Sequence, residues 1–179
     1  SSLELTHYQE IDNNKIIGIG EIGLDYHYTK ENKVNQIKLF EKQLQIAQDL
    51  DIPVVIHSRE ATQDTIDILK KYKVKGVIHS FSGSLEVAKI YIKMGFILGI
   101  NGVITFKNSN LKEVVKEIGL KNIILETDSP YLTPHPYRGK QNSPKYILEI
   151  SKFVAELYDI SLEELSKITN DNINRIFDI

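Results

Sequence analysis

Five short apolar runs, each followed by a stretch with helical spacing, limit what this chain can become. They lie at residues 16–19, 54–56, 76–78, 96–100 and 123–125. Each is apolar on both faces of the pleat, which suits a parallel sheet covered by helices rather than a sheet with one wet side. Between the runs, apolar side chains recur at helical intervals. They stand at Val34, Ile37, Phe40, Leu44 and Ala47, then at Ile66, Leu69 and Tyr72, with further helices expected over 85–94 and 111–118. Ser84 reads as an N-cap, and Ser143-Pro144 as a cap with proline in the first turn of a helix striped by Ile147, Ile150, Val154 and Leu157. Ser161 to Glu164 reads as a capping box opening the last helix.

A chain of 179 residues is expected to form one domain over its whole length. An open doubly wound sheet and a (β/α)8 barrel both fit the pattern. A closed barrel takes about 250 residues, so the second would be an incomplete barrel. Residues 1–14 read as the end of a helix or a loop, with no strand before Ile16, which suits a barrel lacking its first strands.

The ends of the strands carry the chemistry. Strand one is expected to end at Glu21, strand two at His57, strand three at His79 and strand five at Asp128; strand four ends at Asn101, a poor ligand. In a parallel β/α fold all these tips lie on one side of the sheet. Two imidazoles and two carboxylates brought together there suit a divalent metal. Such an ion lowers the pKa of a bound water to about 7 and polarises a phosphoryl or carbonyl oxygen. Glu21 is the candidate bridge between ions and Asp128 the candidate proton acceptor. Arg59, Arg138 and Lys140 are candidates for holding substrate phosphates. Ser58, Ser80, Ser82 and Asn142 stand at the same tips as ligand orienters, substrate contacts or caps. His27 and His135 read as loop residues and His7 as surface.

Bulk properties narrow the partners. A net charge of −2 gives no general attraction to nucleic acid, so phosphate binding must come from local clusters. There is no cysteine, hence no disulfide and no thiolate metal site, as suits a cytoplasmic protein. No apolar run reaches the ~18 residues of a membrane span.

Four segments taken together resemble one family: GEIGLDYH at 20–27, PVVIHSR at 53–59, IHSFSG at 78–83 and ETDSPYLTPHPYRGKQNSP at 126–144. Their order and spacing are similar to the successive signatures of the TatD-type metal-dependent deoxyribonucleases, relatives of the amidohydrolase barrels. The resemblance implies a TIM-type barrel and hydrolysis of DNA phosphodiester bonds, often as a 3′–5′ exonuclease on single-stranded or 3′ ends. It implies two divalent ions, Mg, Mn or Zn, with Glu21 bridging them, His57 and His79 on one and Asp128 on the other. The family pattern opens with a His-x-His strand and a second strand that are not found here, so the barrel is expected to lack two strands and this chain alone to be weak or inactive. Two other readings share the ligand set: an ester hydrolase such as an aminoacyl-tRNA deacylase, and a non-catalytic metal- or nucleic-acid-binding module.

Overall fold

The computed structural model describes residues 16–27 and 31–179. The readings of residues 1–14 and of His7 lie outside the described residues. Strand β1 (Ile19–Asp25) is followed by α1 (Lys33–Leu50), β2 (Val54–Arg59), α2 (Thr62–Leu69), β3 (Gly76–Ile78), α3 (Leu85–Lys93) and β4 (Phe96–Ile100). Then come α4 (Leu111–Ile118), β5 (Ile123–Leu125), α5 (Ile147–Tyr158) and α6 (Leu162–Phe177). The five strands pair in parallel in the order β1-β2-β3-β4-β5. Among the described residues the sheet is an open segment of a β/α barrel, with β1 and β5 at its edges.

All five residues of β4 and all three of β3 are buried, as two covered faces require. On the helix-covered face, Val54, Ile56, Ile78, Leu98, Ile100 and Ile123 join Phe40, Leu44, Tyr91 and Ile150 in the main core. Alternate residues point the other way. Val77 and Ile97 form a second, small cluster with Ile176 near the end of α6, and Ile124 and Phe177 pack against it. Burying one such side chain contributes about 1.5–3 kcal/mol. Exposed ion pairs such as Lys70–Asp67 and Lys152–Glu149 contribute about 0–1 kcal/mol. The layered core therefore holds the fold.

Two helix caps form as the sequence suggests. Ser84 Oγ accepts from the Val87 amide at 3.4 Å and Ser161 Oγ from the Glu164 amide at 3.0 Å. Ser143 does not cap with its side chain: Pro144 opens a one-turn 3-10 helix that leads into α5, and the Tyr146 amide donates to the Ser143 carbonyl at 2.9 Å. Ser58 bonds the Thr65 hydroxyl at 2.9 Å rather than a helix amide.

The first strand departs from its expected bounds. It starts at Ile19 and runs on to Asp25, so Glu21 sits inside β1, at a register shift between Ile19 and Ile22. Gly20 and Gly23 are what lets β1 approach β2. Gly23 lies opposite His57 with φ +146°, and a Cβ there would stand 1.9 Å from the His57 carbonyl oxygen. β2 likewise continues past His57 to Arg59, which pairs with Asp25. No helix among the described residues is long and apolar enough to cross a membrane.

Candidate metal centre

His57 and His79 follow Ile56 and Ile78, which point into the helix-covered core, so strand alternation sends both imidazoles to the opposite face. Glu21 reaches the same place from β1. Its Oε1 is 3.3 Å from His57 Nδ1 and 3.3 Å from His79 Nε2. Asp128, beyond β5, brings Oδ1 to 3.0 Å from the same His79 Nε2. Four side chains spread over more than a hundred positions thus meet at the C-terminal end of the sheet.

The far side of each imidazole is also held. His57 Nε2 is 3.0 Å from Asp25 Oδ2, and His79 Nδ1 is 2.9 Å from Glu126 Oε2. The other oxygen of Glu126 accepts from the Ser80 amide at 2.5 Å. Glu126 fits because β4 has no side chain at Gly99, where a Cβ would come within 2.6 Å of Oε2. Asn101, buried at the end of β4, donates to Ser80 Oγ at 2.6 Å and so fixes the turn behind His79. Asn142, 5% exposed, donates to the carbonyl oxygens of Thr127, at 2.7 Å, and Tyr131, and pins the loop that carries Asp128.

Charge is concentrated here. The hydrogen bond to Glu126 is the main reason the His79 pKa is pushed up to about 9, against the opposing effect of burial. His57 is raised as well, first by its hydrogen bond to Glu21, while Glu21 is lowered by that same bond against its partial burial.

Backbone strain gathers at the same place. Ser80, Asp128 and Leu132 have φ of +50°, +56° and +55°. Such conformations cost roughly 1–3 kcal/mol each and mark sites that the surrounding structure over-determines. All three line a cavity of about 610 Å³ that also takes in Glu21, His57 and His79. Arg59 is on its wall, and Tyr131, 70% exposed, is at its rim.

Arg138 and Lys140 do not line this cavity. The Arg138 guanidinium lies 3.9 Å from the centroid of the Phe106 ring and donates to the Thr133 carbonyl at 3.2 Å. Lys140 Nζ is 5.6 Å from the Tyr137 ring, and its backbone carbonyl accepts from the Thr133 hydroxyl at 2.6 Å. Sequence reasoning missed Asp25 and Glu126. The only signal for either was an acid adjoining a strand end.

No three His, Asp or Glu side chains among the described residues form a ready cage around one point; they bond one another instead. The chemistry of the set nevertheless fits a divalent ion. Two imidazoles and two carboxylates converge, and each imidazole has its second nitrogen on another carboxylate. That is the arrangement by which metal-ligating histidines are oriented and made more basic.

The sequence model of the TatD-related DNases matches residues 2–178. This chain belongs to that family. It is 45% identical over 169 residues to YabD of Bacillus subtilis, named an uncharacterized metal-dependent hydrolase, covering 92% of this chain and 66% of YabD. It is 39% identical over 168 residues to YcfH of Escherichia coli K12, which bears the same description, covering 92% of this chain and 63% of YcfH. The crystal structure of YjjV, a TatD homologue from Escherichia coli K12, superposes with a TM-score of 0.84 at 28% identity, over 92% of this chain and 64% of that one. The TatD-family chain therefore spans slightly less than two thirds of these relatives.

Proposed function

We propose that this protein is a metal-dependent phosphodiesterase that removes nucleotides from the 3′ ends of single-stranded DNA in the cytoplasm. The observation that carries the reading is Glu21 Oε1, set 3.3 Å from a nitrogen of each of two imidazoles, with Asp128 against the second. Glu21, His57, His79 and Asp128 would hold the metal, and the complete site would hold two ions of Mg, Mn or Zn. When bound, the metal supplies an activated water near pH 7 and a positive charge for the phosphoryl oxygens.

The chain's own residues do the rest. Glu126 and Asp25 hold the imidazoles in one orientation, so neither ring has to be reset during turnover. Asp128 takes the proton released by the attacking water. Arg59, on the cavity wall, offers a two-pronged contact to the phosphate. The fold and ligand set equally suit attack on a carbonyl, and the family membership and the cation on the wall favour phosphorus.

The test is release of nucleotides from 3′-labelled single-stranded DNA with Mg²⁺, Mn²⁺ or Zn²⁺, by this chain joined to the two opening strands of the family pattern, with and without Asp128→Asn. Metal-dependent release that the substitution abolishes supports the proposal. No release with any of the three ions, or equal release by the variant, contradicts it. Hydrolysis of aminoacyl-tRNA but not DNA would move the chain to the carbonyl chemistry.

A further inference from the structure

Beside the metal centre lies a second and larger cavity, of about 790 Å³. The two share Ser82 and Val103 on their walls, so they adjoin on one face of the molecule. Its apolar lining includes Leu85, Phe106, Leu111 and Val114. Its polar lining is of the neutral, two-way kind: Ser82, Ser84, Asn108, Ser109 and Asn110. The only charged residues on its wall are Glu113 and Glu117. A phosphate is repelled there. A flat, uncharged ring with donors and acceptors on its edge is not.

Phe106 is placed to act as the platform for such a ring. It is half-buried, and the Arg138 guanidinium 3.9 Å from its centroid holds it in position. Arg138 is itself anchored on the Thr133 carbonyl at 3.2 Å. The arginine therefore acts as a positioning residue for an aromatic wall rather than as a phosphate ligand.

We propose that this second cavity is a base subsite. It takes the nucleobase adjoining the bond cut at the metal centre, stacks it against Phe106, and leaves the phosphate to the cationic side near Arg59. The inference rests on the phosphodiesterase reading for its role in turnover, but not for its binding chemistry.

Two experiments separate the two. In the first, thymidine, a nucleoside with no phosphate, is titrated into the metal-loaded protein and followed by NMR. Saturable binding by the wild type is expected, weakened about 10-fold in Phe106→Ala, the scale of one lost base stack. It is also expected to be lost in Asn108→Trp, which fills the cavity from an exposed loop position and leaves the core intact. No saturable binding, or equal binding by both variants, overturns the inference. In the second, KM is compared on DNA with an ordinary 3′ end and on DNA abasic at its terminal positions. Phe106→Ala is expected to raise KM about 10-fold on the first and to leave it unchanged on the second, with kcat nearly constant on both. An equal effect on both substrates overturns the subsite and leaves the phosphodiesterase reading standing. Thymidine binding without any DNA cleavage overturns only the phosphodiesterase reading.

Discussion

Glu126 Oε2 lies 2.9 Å from His79 Nδ1, in space that β4 leaves open at Gly99. A carboxylate one residue past a three-residue strand thus fixes the ring of a histidine one residue past the strand two places away in the sheet. Glu126→Gln keeps the shape and removes the charge. Divalent-metal affinity measured by calorimetry is expected to fall 10–100-fold, with little change in the fold. Unchanged affinity would mean that Glu126 does not orient His79 toward a cation.

The gap at Gly99 makes its own prediction. A methyl group there meets Glu126 Oε2 at 2.6 Å, and that carboxylate is already held by His79 Nδ1 and the Ser80 amide. Gly99→Ala is expected to destabilise the protein by about 1–3 kcal/mol, as overpacking does. The urea midpoint measures the loss, and a parallel metal titration should show weakened binding.

The buried Asn142 side chain donates to two backbone carbonyls of the Asp128 loop. Asn142→Ala leaves both without that partner, at a cost of about 1–3 kcal/mol where no water replaces it. Hydrogen exchange is expected to rise in the loop around Asp128 before it rises in the sheet.

In the metal-stripped protein, stability is expected to depend on pH through His79 and Glu21. The folded-state pKa of His79 is raised from 6.5 to about 9. Its contribution is therefore complete below about 6.5 and fades as pH rises through about 9. Glu21 is lowered from 4.5, so its contribution is complete above about 4.5 and fades as pH falls below it. Urea midpoints in EDTA between pH 6 and 10 should decline on the alkaline side, and His79→Gln should flatten that decline.

Arg59 and Lys140 should part company in kinetics. Arg59 is on the cavity wall, while Lys140 points to Tyr137. Arg59→Ala is expected to raise KM for DNA about 10-fold, a lost charge-assisted contact. Lys140→Ala should stay within twofold of wild type.

Much of this was legible in the sequence. Strands buried on both faces have no polar alternation to confuse them, and the helices between them keep a clear apolar stripe. The five strands, six helices and parallel pairing follow from that. The bounds of β1 were hidden because Gly20 and Gly23 look like punctuation. Their use in letting β1 close on β2 exists only once His57 lies opposite Gly23. Glu21, His57, His79 and Asp128 could be singled out because each follows an apolar run, although β1 and β2 continue past Glu21 and His57. Asp25 and Glu126 could not, since an acid beside a strand end becomes an imidazole's partner only through cross-strand register. Arg138 reads as a phosphate ligand by type, and Phe106, more than thirty residues earlier, takes its guanidinium instead.

The most direct measurement is the position of the metal itself. Crystals grown with Zn²⁺ and measured at its absorption edge should show anomalous density whose ligand atoms, at about 2.0–2.2 Å, come from Glu21, His57, His79 and Asp128. A peak held by other residues, or none at saturating Zn²⁺, would contradict the account.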